Sequence, residues 1–111
     1  MGMSTDDLVI SFQGDPVRVT IVGNVDLDTR EQFKAALAQT FGDRGDVHLD
    51  LQGVTFMDTR SVTDVVHTAK RLHDEGGRLV VHHPPDSLRR IFDTLWGGSQ
   101  ADWLYIAGQG G

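Results

Sequence analysis

The chain begins with two short runs in which apolar and polar positions alternate. Apolar residues occupy every second position across residues 8–13 and again across residues 17–21. A period of two is typical of a strand with one buried face. Between the runs, Gly14-Asp15-Pro16 supplies residue types that favour a turn. The pattern therefore predicts an antiparallel hairpin at the start of the chain.

The spacing of apolar residues then changes to that of a helix. Four apolar positions recur on one helical face: Phe33, Ala36, Leu37 and Phe41. Asp28 and Glu31 stand three residues apart before them, in the arrangement of a capping box. The first helix is therefore expected to begin at this pair and to end near Gly42.

The middle of the chain changes from strand to helix periodicity. Alternation over residues 47–51 predicts a strand, Gly53 predicts a turn, and apolar residues at helical spacing predict a helix over about 58–75. Gly76-Gly77 offers the left-handed conformation that ends such a helix, and residues 78–82 form the next predicted strand. A strand–helix–strand unit favours two parallel strands joined by a right-handed crossover.

A third helix is predicted after Pro84-Pro85, which prevents further strand pairing. Asp86 or Ser87 is available as its N-terminal cap. Its apolar positions again share one face: Leu88, Ile91, Phe92 and Leu95.

The end of the chain adds one weaker element. Residues 103–106 indicate a short edge strand, and a glycine-rich tail, residues 107–111, is expected to pack on nothing. The elements together predict one α/β domain over residues 1–111 with its core at about 8–106. Its expected architecture is a mixed sheet of four to five strands, with an N-terminal hairpin and helices packed on it.

Composition narrows the possible functions. A chain of 111 residues with 39% hydrophobic and 23% charged residues is typical of one globular domain. A net charge of −6 lacks the basic footprint needed for direct nucleic-acid binding. The absence of cysteine excludes disulfides and thiolate sites. Because no apolar run approaches the roughly 20 residues that span a bilayer, no membrane insertion is expected, and the expected location is the cytoplasm.

Thr59 is the first candidate for chemistry, because its hydroxyl lies where the predicted strand meets the predicted helix. One interpretation is a helix cap, since Asp58, Thr59 and Ser61 all carry oxygens that accept from free N–H groups of a first turn. The other is a phosphoacceptor, whose phosphoryl group would add about −1.5 to −2 charge at a helix N-terminus that tolerates it. The pattern of residues leaves both interpretations open.

The run DLQGVTFMDTRS, residues 50–61, resembles the signature of the STAS domain, the sulfate-transporter and anti-sigma factor antagonist domain. Three further segments resemble the family's turn after its second strand, its entry to the next strand and its last long helix: residues 21–26, 76–81 and 87–92. Their order and spacing extend the resemblance over most of the chain and imply a STAS-like fold.

The resemblance implies an anti-sigma factor antagonist. In that family the unmodified domain binds a kinase-type anti-sigma factor and thereby frees a sigma factor. The kinase phosphorylates a hydroxyl, here that of Thr59, the added charge weakens the complex, and a phosphatase restores it. Asn24, Asp26 and Asp58 are then expected on the partner-binding surface, and the antagonist itself is expected to need no cofactor.

Arg60 and Ser61 depart from the family pattern, in which a small residue and a glycine follow the phosphoacceptor. Arg60 is long and charged where a kinase approaches, and Ser61 has a Cβ where glycine would admit a partner backbone. Both are expected to contribute to the partner-binding surface. They also favour an alternative function, a non-phosphorylated STAS-type binding or scaffold subunit, for example of a membrane transport complex.

An enzyme or a metal protein is the remaining class of alternative. Asp26 and Asp58 are a pair of carboxylates, but no nucleophile, base and oxyanion set accompanies them, so no catalysis is expected. The chain has five histidines: His48, His67, His73, His82 and His83. Adjacent His82 and His83 point to opposite faces of a strand, so the sequence predicts surface histidines and no metal site.

Overall fold

Five strands form one sheet in the part of the chain that the structure describes. The computed structural model describes residues 8–14, 17–42, 45–96 and 104–107. The strands are β1 (Val9–Gln13), β2 (Val17–Val25), β3 (Asp46–Met57), β4 (Arg78–His82) and β5 (Leu104–Ala107). The helices are α1 (Arg30–Ala38), α2 (Thr59–Asp74) and α3 (Asp86–Trp96). The strands lie in the sheet in the same order as in the sequence.

The predicted α/β fold with a mixed sheet is confirmed. β1 runs antiparallel to β2, with Val9 opposite Val22, whereas β2–β3, β3–β4 and β4–β5 are parallel pairs. β4 spans the predicted residues, and β5 is the predicted edge strand. β5 begins at Leu104, and Trp103 lies outside the described residues.

One face of the sheet is buried beneath the helices. Its side chains are almost inaccessible at alternate positions along the strands: Val19, Ile21, Val47, Leu49, Leu51, Leu79 and Val81. α2 packs a stripe of small and aliphatic side chains against them: Val62, Val65, Val66, Ala69 and Leu72. Burying each large aliphatic side chain stabilises the fold by about 1.5–3 kcal/mol. The apolar positions with strand spacing and those with helix spacing therefore pack against each other in one core.

β3 is longer than the alternation of residues 47–51 predicted. It continues to Met57, so the expected turn at Gly53 is wrong, and Gly53 instead pairs with Val22 inside the sheet. A Cβ on Gly53 would lie 2.8 Å from Val22 Cγ2, so glycine is needed for the close approach of the two strands. The register of β2 and β3 also shifts between Thr20 and Val22 and between Gly23 and Asn24.

The N-terminal cap of α1 lies one residue later than the predicted Asp28. Its N-terminal cap residue is Thr29, so the prediction of an Asp28–Glu31 box is wrong. The helix ends at Ala38, and a turn leads on to Gly42, which has the positive φ of 96°. The Gly42 N–H donates to Glu75 Oε1 at 2.9 Å and joins this turn to the end of α2.

The predicted ends of α2 are confirmed, but those of α3 differ. Gly76 has a φ of 91°, and the Gly77 N–H donates to the Leu72 carbonyl at 2.8 Å, which closes the last turn of α2. Asp86 and Ser87 lie inside α3 rather than capping it. The Ser87 hydroxyl accepts the Met57 N–H at 3.0 Å, so it ties α3 to the end of β3.

The C-terminal end of the predicted core differs by one residue. Ala107, which is expected in the tail, belongs to β5, and the rest of the tail lies outside the described residues. In the described ranges no helix has both the length and the apolar character needed to cross a membrane.

We predict that Gly53→Ala destabilises the protein by about 1–3 kcal/mol, the usual cost of an overpacked site. Its added Cβ would meet the stiff, branched side chain of Val22. Urea denaturation measures the free energy of unfolding. Gly45→Ala is the matched control, because a Cβ there meets nothing within 4 Å.

A Val22→Ala, Gly53→Ala double variant should recover most of the loss relative to Val22→Ala alone, because the clashing methyl groups are gone. Equal costs of Gly53→Ala in both backgrounds would show that the approach of these two strands does not explain this glycine.

Candidate functional site

The junction between β3 and α2 is fixed by both polar groups of Asp58. The Asp58 N–H donates to the carbonyl of Val25 at 3.1 Å, which continues the pairing of β2 and β3 by one more bond. The Asp58 side chain accepts the Ser61 N–H at 2.9 Å and caps α2. Asp58 is therefore the capping residue of this helix, and Thr59 is its first helical residue.

Thr59 is the first residue of α2. The residue is exposed, and its backbone carbonyl accepts the Thr63 hydroxyl at 3.0 Å. Because Asp58 occupies the cap position, the interpretation of Thr59 as a capping side chain is wrong. The exposed hydroxyl instead lies at the positive end of a helix of 16 residues, where added negative charge is tolerated.

The loop after β2 is held in one shape by Asp26 and Thr29. Asp26 Oδ1 accepts the N–H groups of Asp28 at 3.0 Å and Thr29 at 3.3 Å. The Thr29 hydroxyl donates to the Asn24 carbonyl at 2.7 Å and accepts the Asp26 N–H at 3.0 Å. Asp26 therefore stabilises its own turn, as aspartate side chains commonly do, and the Asn24 side chain remains exposed.

Parallel pairing brings this loop next to the helix start. Asn24 pairs with Phe56, and Val25 pairs with Met57, so both strands end at the same edge of the sheet. The Asn24 side chain also contacts the Thr55 hydroxyl on β3. Ligands of sheets with parallel strands commonly bind at this carboxyl edge. We call the group formed here by Asn24, Asp26, Asp58 and Thr59 the junction site.

An ion pair holds α1 beside the first turns of α2. Arg30 Nε lies 2.9 Å from Asp64 Oδ2, and Arg30 Nη2 lies 3.1 Å from Asp64 Oδ1. The hydrogen bonds to Asp64 raise the pKa of Arg30 above its already high ordinary value. Because α1 follows directly on the loop of Asp26, this two-pronged contact also limits how far the loop can move from the helix start.

The two residues that follow Thr59 have opposite environments. Arg60 is exposed, as expected of a residue on a partner-binding surface. Ser61 is wholly buried at 0% exposure, so the expectation that it contributes to this surface is wrong. Its Cβ points into the protein, and its hydroxyl has no hydrogen-bond partner among the described residues.

Two large apolar side chains at the same edge were missed by the sequence reasoning. Leu27 is 72% exposed and Phe56 is 47% exposed. Leu27 lies in the loop of Asp26, and Phe56 lies beside Asn24 in the sheet. Exposed apolar side chains that cluster are typical of binding surfaces. The sequence carried no signal for Phe56, because the second irregularity of the β2–β3 register turns it away from the core, and register is not visible in the spacing of residues.

The structure also pairs two histidines that are far apart in the sequence. His48 Nδ1 lies 2.7 Å from His82 Nε2, whereas His67 and His73 are exposed on α2 as predicted. His48 and His82 are half-buried, so the expectation of surface histidines is wrong for this pair. No group of three or more histidine, cysteine or acidic side chains within the described ranges is arranged to hold a metal ion.

Comparison with known proteins supports the resemblance found in the sequence. A family model described as Mlab, STAS domain, matches residues 8–95. The anti-sigma factor antagonist SpoIIAA in its unphosphorylated form has a similar structure, with a TM-score of 0.67 and 19% identity over 91% of this chain and 90% of that chain.

Two further solved structures share the fold. The anti-sigma factor antagonist from Mycobacterium paratuberculosis has a TM-score of 0.73 and 19% identity, over 92% of this chain and 88% of that chain. The Bacillus cell fate determinant SpoIIAA in its phosphorylated form has a TM-score of 0.63 and 20% identity, over 91% of this chain and 93% of that chain.

The family model covers most of the chain, including both strands and the helix start of the junction site. At this identity the solved structures show a common fold. The family match, the mixed sheet and the placement of the strand–helix junction agree with one another, and the protein belongs to the STAS domain family.

Proposed function

We propose that the protein is an anti-sigma factor antagonist that binds an anti-sigma factor of the serine/threonine kinase type and thereby releases a sigma factor. The observation that carries the proposal is the exposed hydroxyl of Thr59 at the first position of α2. The similarity to SpoIIAA, which has been solved in unphosphorylated and phosphorylated forms, supports a role for phosphorylation. The proposed location is the cytoplasm, where sigma factors act.

In the proposed switch the kinase transfers the γ-phosphoryl group of ATP to Thr59. A bond forms between Thr59 Oγ1 and phosphorus, the bond from phosphorus to the leaving ADP oxygen breaks, and the hydroxyl proton passes to a base of the kinase. A phosphatase reverses the modification by hydrolysis. The antagonist supplies the hydroxyl and the surface around it, and ATP is bound by the partner, so the antagonist needs no cofactor of its own.

The charge of the phosphoryl group explains why modification would weaken the complex without unfolding the domain. The group adds about −1.5 to −2 charge next to the carboxylates of Asp26 and Asp58. α2 has no acidic residue in its first turn, and its N-terminus is a favourable place for negative charge. The fold therefore tolerates the phosphoryl group, whereas a partner packed against it must desolvate a strongly negative patch.

The neighbouring side chains suggest how the partner is held. Leu27 and Phe56 are the apolar anchors of the proposed interface, because a few large buried side chains provide most of the binding energy in protein complexes. Asn24 and Arg60 contribute polar contacts beside them. Ser61 is buried beneath the start of α2 and makes no direct contact with the partner.

A second function is favoured by Arg60 and Ser61. A long cation directly after Thr59 obstructs a kinase active site that needs close approach, and a buried serine replaces the glycine of the family pattern. On this proposal the protein is a STAS-type binding or scaffold subunit without a phosphoswitch, for example of a membrane transport complex. Its partner would bind equally well with and without ATP.

We predict that Thr59→Glu weakens binding of the kinase-type anti-sigma factor at least about tenfold, or about 1.4 kcal/mol. The acidic side chain places a permanent negative charge where the phosphoryl group would lie. Thr59→Ala should bind like the wild type but lose the effect of added ATP. Isothermal titration calorimetry with the purified partner measures both affinities.

Thr94→Glu is the matched control for Thr59→Glu, because Thr94 is exposed on α3 and lies outside the junction site. It should leave partner affinity unchanged. Equal affinities of the Thr59→Glu variant and the wild type would overturn the charge switch. An intact Thr59 after incubation with partner and ATP would favour the scaffold subunit instead.

We predict that Ser61→Ala keeps or raises the free energy of unfolding, by up to about 1 kcal/mol, because an unsatisfied buried hydroxyl is removed. Ser61→Gly should be about 1 kcal/mol less stable than Ser61→Ala. Urea denaturation measures the stabilities, and calorimetry should show unchanged partner affinity for Ser61→Ala. A large loss of affinity at unchanged stability would mean that Ser61 contacts the partner after all.

A further inference from the structure

The face of the sheet opposite the helices, which we call the outer face, carries a polar cluster away from the junction site. The cluster consists of Arg18, His48, Asp50 and His82. Strand alternation separates these residues from the buried face, and all four are half-buried. The register places Arg18 opposite His48, and Asp50 opposite His82.

The two imidazole rings meet across the β3–β4 pair. His48 Nδ1 and His82 Nε2 are 2.7 Å apart, the ring centroids are 5.0 Å apart, and the ring planes are tilted by 31°. One ring nitrogen therefore donates its N–H to the lone pair of the other. Because β3 and β4 are already paired in the sheet, bringing the two nitrogens together costs little further conformational freedom of the backbone.

This arrangement is close to that of two imidazoles on one metal ion. Two nitrogens bound at about 2.0–2.1 Å to a tetrahedral zinc ion lie about 3.3 Å apart. Small rotations of the rings supply that separation. The imidazole that now donates its N–H would carry the proton on its other ring nitrogen instead, so that both inner nitrogens present lone pairs.

The charged groups around His82 have opposite effects on its pKa. Asp50 contributes negative charge opposite His82, and its Oδ2 lies 3.3 Å from Arg18 Nη1, which partly neutralises that cation. Burial lowers the pKa of His82, and Arg18, His48 and His83 lower it further, whereas Asp50 opposes them.

We propose that His48 and His82 form a two-nitrogen binding site for a borderline divalent transition-metal ion such as Zn²⁺, with water at the remaining coordination positions. Neutral imidazole suits zinc, copper and nickel better than calcium or magnesium. With two protein ligands the site is open and exchangeable, unlike the closed four-ligand sites that hold structural zinc. A bound ion would join β3 to β4 on the outer face, apart from the surface proposed to bind the partner.

The proposal is tested by titrating the whole chain with Zn²⁺ alone near pH 7 in a calorimeter. The expected result is saturable binding of one ion per chain. His48→Ala and His82→Ala should each weaken it at least about tenfold. His67→Ala and His73→Ala are matched controls, because these histidines are exposed singly on α2, and both should bind zinc like the wild type.

Thermal denaturation supplies a second readout. Zinc should raise the Tm of the wild type and of both controls by mass action, and it should leave the His48 and His82 variants unchanged. His48→Gln and His82→Gln, which keep polar side chains of similar length, replace the alanine variants if those do not fold.

The pH dependence separates imidazole binding from binding by carboxylates alone. Zinc affinity should fall as the pH is lowered from about 7 to about 5, because protonated imidazole has no lone pair for a metal. The proposal is overturned if no saturable binding occurs, if all four alanine variants bind zinc equally, or if affinity persists unchanged to about pH 5, where only carboxylates remain available.

Discussion

The parallel pairing of β2 with β3 is the constraint on which the rest of the site depends. These strands run together to Val25 and Met57, and the hydrogen bond from the Asp58 N–H to the Val25 carbonyl extends their pairing to the first residue beyond β3. The same Asp58 caps α2 through its carboxylate. One residue thus joins sheet and helix, and the position of Thr59 follows from it.

The pairing also explains the unusual residues nearby. Gly53 is needed because a Cβ at this position would clash with the side chain of Val22. The later register shift turns Phe56 outwards and keeps Met57 in the core. The end of β3 therefore presents the exposed ring of Phe56 next to the polar loop of Asp26 and the exposed residue Thr59.

Local patterns were sufficient for much of the fold. α2, β4 and the hairpin could be predicted because periodicity, caps and turn residues act between neighbours in the sequence. Several of the errors concern contacts between distant segments, whereas the misplaced cap of α1 is a local error. Gly53 resembles a turn residue unless Val22 is known to approach it.

The candidate site was predictable to the same extent. The family motif located Thr59 and the residues around it, and the Asp58 cap follows from local chemistry. The burial of Ser61 depends on how α2 packs, and the His48–His82 contact depends on the register of β3 and β4. Neither packing nor register can be obtained from the spacing of residues along the chain.

The proposed partner interface lies at the carboxyl edge of β2 and β3 around Thr59. Amide hydrogen exchange of the chain, alone and in complex with its kinase-type anti-sigma factor, tests it most directly. Exchange should slow across residues 24–30 and 56–63 and stay unchanged in β1 and β4. Protection confined to the outer face or to α3, with the junction exchanging as in the free protein, would contradict it.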